Sequence, residues 1–205
     1  IGVFLGVAGN KLAVEVDETD QALLDALPGN NCGGCGYAGC SGLAAAITKG
    51  EAPHNRCPVG GAPVAEKIAA ILGTDAGETV RQTAFVKCAG TCGKAKQAYD
   101  YTGIEDCVMA SQMQNGGPKG CGFGCLGFGS CVKACQFDAI HVVDGIAVVD
   151  PEKCKACGSC VSACPKRLIE IVPYEQKHLV QCSSRDKGKD VLFMYFPVNS
   201  CKNTD

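Results

Sequence analysis

Four cysteines, Cys154, Cys157, Cys160 and Cys164, stand at the spacing C-x2-C-x2-C-x3-C, and Pro165 follows the last of them. No other feature of the chain restricts its fold as strongly. In such a run three thiolates reach the corners of one iron–sulfur cluster, and the fourth serves a neighbouring cluster. Two other uses of cysteine fit less well. Disulfide scaffolds are usually short, secreted and even in cysteine number, whereas this chain has 205 residues and 17 cysteines. Structural zinc takes four ligands, commonly as two separated pairs. Thiolate ligation also implies a reducing compartment, or assembly in one.

An internal repeat extends the run. At an offset of 29, Cys125, Cys131 and Cys135 align with Cys154, Cys160 and Cys164, and Val132, Ala134 and Ile140 align with Val161, Ala163 and Ile169. Phe128 stands where the second copy has Cys157, and Gln136 where it has Pro165. Exchange of the fourth ligand between copies gives Cys154, Cys157, Cys160 and Cys135 to one [4Fe–4S] cluster. Cys121, just upstream of the irregular copy, is expected to complete a second cluster with Cys125, Cys131 and Cys164. Cys32, Cys35, Cys40 and Cys57 form a self-contained third set, spaced C-x2-C-x4-C-x16-C. Glycines at 33, 34, 36 and 39 let backbone N–H groups approach cluster sulfurs there. Cys88, Cys92 and Cys107 make a three-ligand set whose expected fourth member is Cys182, with buried unligated thiols as the alternative. Cys201 is left over. Three to four [4Fe–4S] clusters are therefore expected.

The rest of the composition agrees with a chain held by ligation. Hydrophobic residues are 46%, a figure that includes the cysteines, with 7 Phe, 5 Tyr and no Trp. Such a core is thin. The 27 Gly and 9 Pro place much of the backbone in turns. A formal charge of −2 and a pI near 5.9 argue against nucleic acid as a partner and exclude a polybasic membrane-surface protein. Residues 1–80 carry 4 basic and 9 acidic side chains and residues 81–205 carry 15 and 12, so the two parts are formally −5 and +3.

Periodicity predicts helices over residues 18–27, 43–49 and 62–72, the first with Leu23, Leu24 and Leu27 inward. Strands are predicted at 83–87, 168–172 and 178–180, and at 140–143 and 146–149 around the hairpin signal Asp144-Gly145. The fold class is α+β: a helical four-cysteine [4Fe–4S] domain followed by a ferredoxin-like duplicated domain. The three histidines, His54, His141 and His178, show no ligand spacing, and no nucleophile context, flavin or nicotinamide fingerprint is present. No catalytic residue is expected. Lys153, Lys155, Lys166 and Arg167 read as a solvated face that could also dock an acidic redox protein.

These motifs together resemble the B subunit of the Rnf electron transport complex, the membrane-bound ion-translocating ferredoxin:NAD oxidoreductase, in its clostridial-type form. The likeness runs through residues 13–17, 26–40, 88–92, 99–107 and 120–131 and ends near 182–188. It implies an oxidoreductase-complex subunit at the cytoplasmic face of the cell membrane, with ferredoxin, the other Rnf subunits and the membrane as partners. It further implies that electrons pass through [4Fe–4S] clusters and that this chain alone performs no substrate chemistry. On this reading residues 1–12 end a truncated membrane helix, 13–78 are the four-cysteine domain and 79–118 a cysteine-containing connection. Residues 119–175 are then the two-cluster ferredoxin-like domain, and 176–205 a truncated C-terminal segment. A soluble polyferredoxin, or an iron–sulfur module of a corrinoid-type system, is the alternative.

Overall fold

The computed structural model describes residues 18–185. The expected membrane-helix end at residues 1–12 and the tail beyond 185 lie outside them. Two compact units meet at Thr79 and Val80.

The first unit is three helices: α1 (Glu18–Ala26), α2 (Cys40–Thr48) and α3 (Gly61–Leu72). Glu18 and Asp20 in the first turn of α1 complement the helix dipole, and Pro28-Gly29 follows its end. Helix α3 stops at Gly73, whose φ of 68° makes a left-handed cap. Leu23, Leu43 and Ile68 are wholly or almost wholly buried where α1 meets the other two. The Thr48 hydroxyl also donates to the Asp20 carboxylate, tying α2 to α1.

The second unit contains two antiparallel two-stranded sheets. Strand β1 (Gln82–Val86) pairs with the last strand, β4 (Ile169–Pro173), in register from Gln82 opposite Pro173 to Val86 opposite Ile169. Strands β2 (Ile140–Val143) and β3 (Ile146–Val149) form the hairpin expected around Asp144-Gly145, both of whose φ angles are positive. Three short helices accompany them: α4 (Cys107–Ser111), α5 (Ser130–Lys133) and α6 (Ser159–Ala163). Helices α5 and α6 occupy equivalent places in the two repeat copies. Each follows a left-handed glycine, Gly129 (φ 74°) or Gly158 (φ 80°). Ile140, Ile146, Leu168 and Ile169 are the apolar heart of the unit.

The segment expected to be a connection is therefore part of the second unit, because β1 supplies half of a sheet. The strand expected at 178–180 does not form. Val180 is 77% exposed, and only a single bridge, Cys182 opposite Cys88, follows it. Among the described residues no helix is long and apolar enough to cross a membrane.

Candidate cluster sites

In the three-helix unit, Cys35, Cys40 and Cys57 are buried together against Leu23, Leu43 and Ile47, and Cys32 is half-buried. Cys40 is the first residue of α2, and its N–H donates to Asn31 Oδ1 at 2.8 Å. A Cβ on the preceding Gly39 would lie 2.8 Å from that same oxygen, so glycine is required for the loop to close. Arg56 Nε donates to the Cys35 carbonyl at 3.1 Å. Burial pushes the Cys57 thiol up, the backbone N–H of Gly60 opposes this, and the neighbouring Cys40 and Cys35 add to it.

The ferredoxin-like unit holds two cysteine-lined hollows. The first is lined by Cys135, Cys154, Cys157 and Cys160. Those are the four residues that the repeat arithmetic joins, with Cys135 coming from the first copy. Burial, followed by Cys154, Cys157 and Cys135, pushes the Cys160 thiol up to about 11. The second hollow is lined by Cys125, Cys131 and Cys164, and again one cysteine, Cys164, crosses from the other copy. Its remaining cysteine is Cys107. Cys121, expected there, does not line it, although it stands near the ammonium groups of Lys119 and Lys166, the second of which does. Burial, then Cys125, Cys107 and Cys164, pushes the Cys131 thiol up to about 12.

Backbone N–H groups point at the sulfurs in both copies alike. Ala139 donates to Cys135 Sγ at 3.5 Å and Leu168 to Cys164 Sγ at 3.4 Å, positions again 29 apart. Ala84 on β1 donates to Cys154 Sγ at 3.3 Å, and Ala147 on β3 to Cys125 Sγ at 3.4 Å. Donors of this kind favour the more negative state of a thiolate-bound cluster. Among the described residues no three His, Cys, Asp or Glu side chains converge tightly enough to hold one metal ion. A [4Fe–4S] cube takes one thiolate at each iron and needs the sulfurs spread around a hollow instead. The all-thiol donor sets fit such a cluster.

Cys88 is buried; its sulfur accepts from the N–H groups of Gly90 and Cys125 at 3.4 and 3.3 Å. Its backbone bridges to exposed Cys182. Cys92 donates its N–H to the Asp144 carbonyl at 2.9 Å. Of the expected Cys88, Cys92, Cys107 and Cys182 set, Cys107 lines the hollow of Cys125, Cys131 and Cys164, and Cys88 bridges to Cys182.

An Fe-S cluster family profile matches residues 27–59, spanning the first cysteine set, and a 4Fe-4S binding domain profile matches residues 147–170. The chain is 47% identical over 189 residues to the B subunit of the Na(+)-translocating ferredoxin:NAD(+) oxidoreductase complex of Acetobacterium woodii, covering 92% of this chain and 56% of that one. It is 42% identical over 192 residues to the B subunit of the ion-translocating oxidoreductase complex of Methanosarcina acetivorans, covering 93% and 72%. The B subunit of a proton-translocating ferredoxin:NAD(+) oxidoreductase complex from Clostridium ljungdahlii is 42% identical over 91% of this chain and 66% of its own length.

The chain belongs to the B-subunit family of the ion-translocating Rnf complexes. It is an iron–sulfur protein that binds [4Fe–4S] clusters, and it spans between about half and three-quarters of these relatives' lengths.

Within this Rnf protein, several residues that matter to the sites were not expected from sequence. Lys119 is 7% exposed, and its ammonium donates to the Gly90 and Gly145 carbonyls at 2.8 and 3.1 Å. Burial lowers its pKa, while Cys125, Cys88 and Cys121 hold it up. Asp106 caps α4 through the N–H groups of Val108 and Met109; the Asp-Cys pair ahead of a short apolar stretch is the signal that could have found it. The basic group expected to be a solvated face is partly engaged. Lys153 pairs with Asp138 at 3.2 Å, and Lys166 donates to the Gly122 carbonyl at 2.6 Å. Lys155 and Arg167 remain exposed.

Proposed function

We propose that this chain is the electron-relay subunit of a membrane-bound, ion-translocating ferredoxin:NAD oxidoreductase, accepting electrons from reduced ferredoxin at the cytoplasmic face of the membrane. The observation that carries this reading is the pair of hollows, each lined by four cysteines of which one crosses over from the other repeat copy. The relatives' names supply the complex and the two redox partners. Bound [4Fe–4S] clusters would supply the one-electron acceptors and donors.

The chain's own residues do the holding. Cys32, Cys35, Cys40 and Cys57 would hold one cluster, and Cys135, Cys154, Cys157 and Cys160 another. Cys125, Cys131 and Cys164 belong to a third, and the Cys88 region is a place for a fourth. Each thiol gives up its proton on ligation. Buried Ile140 lines the first ferredoxin-like hollow and buried Leu168 the second, and N–H groups aimed at the sulfurs set how readily negative charge is accepted. Ion translocation and NAD chemistry belong to other members of the complex.

The test is anaerobic reconstitution of the full chain, followed by iron and sulfide analysis, electron paramagnetic resonance (EPR) after reduction, and oxidation of reduced ferredoxin. About 12 to 16 irons per chain are expected for three to four clusters. Two clusters or fewer, or tightly bound zinc in their place, would overturn the reading.

A further inference from the structure

We propose that Cys107 is the fourth ligand of the cluster held by Cys125, Cys131 and Cys164, replacing the thiolate that Phe128 lacks. The inference rests on the cluster-relay reading above and assigns a ligand within it.

The repeat defines the gap. In the second copy Cys157 is the middle thiolate, and its counterpart 29 residues earlier is Phe128. A phenyl ring cannot ligate iron, and this ring lies against Tyr101, with centroids 5.3 Å apart. Three protein ligands would leave one iron of a cube open.

The structure brings a thiol to the gap from outside the repeat. Cys107 begins α4, is 8% exposed and lines the hollow together with Cys125, Cys131 and Cys164. A specific contact holds it there. Its backbone N–H donates to Ser130 Oγ at 2.8 Å, and Ser130 Oγ in turn donates to Asp106 Oδ2 at 2.7 Å. The other oxygen, Asp106 Oδ1, accepts from the N–H groups of Val108 and Met109 at 2.8 and 3.2 Å. Ser130 precedes Cys131 in α5, so one carboxylate fixes the start of α4 beside a ligand of the same hollow. Cys121 has no place in that lining. Cys121 stands near the Lys119 ammonium together with Cys125 and Cys88.

Paired deletions in the anaerobically reconstituted full chain separate the ligand sets. Cys125→Ala and Cys107→Ala should each lower the iron content by one to four per chain. The double variant Cys107→Ala/Cys125→Ala should lose about four in total, because both residues serve one [4Fe–4S] cluster. A loss of about eight in that double variant would put the two cysteines on different clusters and overturn the assignment. So would about four lost in Cys121→Ala/Cys125→Ala together with an unchanged iron content in Cys107→Ala. Should the alanine variant fold poorly, Cys107→Ser keeps the volume and offers oxygen in place of sulfur. A shifted EPR spectrum for one cluster, with the others unchanged, is the expected result, and an unshifted spectrum contradicts the proposal. A parent chain holding two clusters or fewer would defeat the relay reading, and this assignment with it; a fully loaded parent with additive losses defeats the assignment alone.

Discussion

The Ser130 hydroxyl donates to the Asp106 carboxylate at 2.7 Å while its oxygen receives the N–H of Cys107. One side chain thus satisfies a cap, a backbone donor and a cysteine-bearing turn at once. The carboxylate is held below its usual range, chiefly by this hydroxyl and then by the Met109 N–H.

Ser130→Ala removes both bonds and leaves the Cys107 N–H without its acceptor. The cost expected for such a loss is about 1–3 kcal/mol, concentrated on one cluster. Iron release to a chelator should therefore be faster for about four of the irons and unchanged for the rest. Equal release curves for variant and parent would show that the contact does no positioning.

Phe128→Cys in the Cys107→Ala background rebuilds the regular run in the first copy. The irons lost by Cys107→Ala should return, read by iron analysis and by recovery of the missing EPR signal. The ring contact with Tyr101 is given up in this variant, which costs about 0.5–1.5 kcal/mol, small enough to leave the unit folded.

A fragment of residues 1–79 matches a compact unit that contains Cys32, Cys35, Cys40 and Cys57. It should bind about four irons on its own. In the full chain, Cys157→Ala should damage a cluster of the second unit and leave this one intact. A fragment that stays free of iron after anaerobic reconstitution would contradict the separation.

Lys155 lines the hollow of Cys154 and Cys157 and is exposed, as is Arg167. Replacing both with Gln should slow reduction by an acidic ferredoxin at low ionic strength. The difference should shrink as salt screens the charges. Reduction by dithionite, which needs no docked protein, should change less. Stopped-flow rates at two ionic strengths decide it, and identical ferredoxin rates at low salt would remove these residues from the docking surface.

Much of the ferredoxin-like unit was legible because ligand spacing and repeat offset are local facts. The hairpin at Asp144-Gly145 and the exchange of Cys135 follow from them directly. The first helix of the first unit was legible from Leu23, Leu24 and Leu27 at helical spacing. What was hidden depends on contacts between distant segments. The pairing of β1 with β4 joins Gln82 to Pro173, which no local pattern announces. The position of Cys107 depends on an acid and a serine 24 residues apart. Lys119 reads as a surface cation in sequence, and only the Gly90 and Gly145 carbonyls explain its burial. The strand expected at 178–180 does not form, and its neighbour Cys182 makes only a single bridge, to Cys88.

Cys135 reaches forward into the hollow of the second copy, and Cys164 reaches back into that of the first. Each site therefore draws its ligands from both copies of the repeat. Filling either one gathers both halves of the repeat and raises the local concentration of thiols at its partner, as a tether does for a second binding event. Loading of either site thus favours loading of the other without being required for it, so that under iron shortage half-loaded carriers, which could trap an electron partway, are made scarcer.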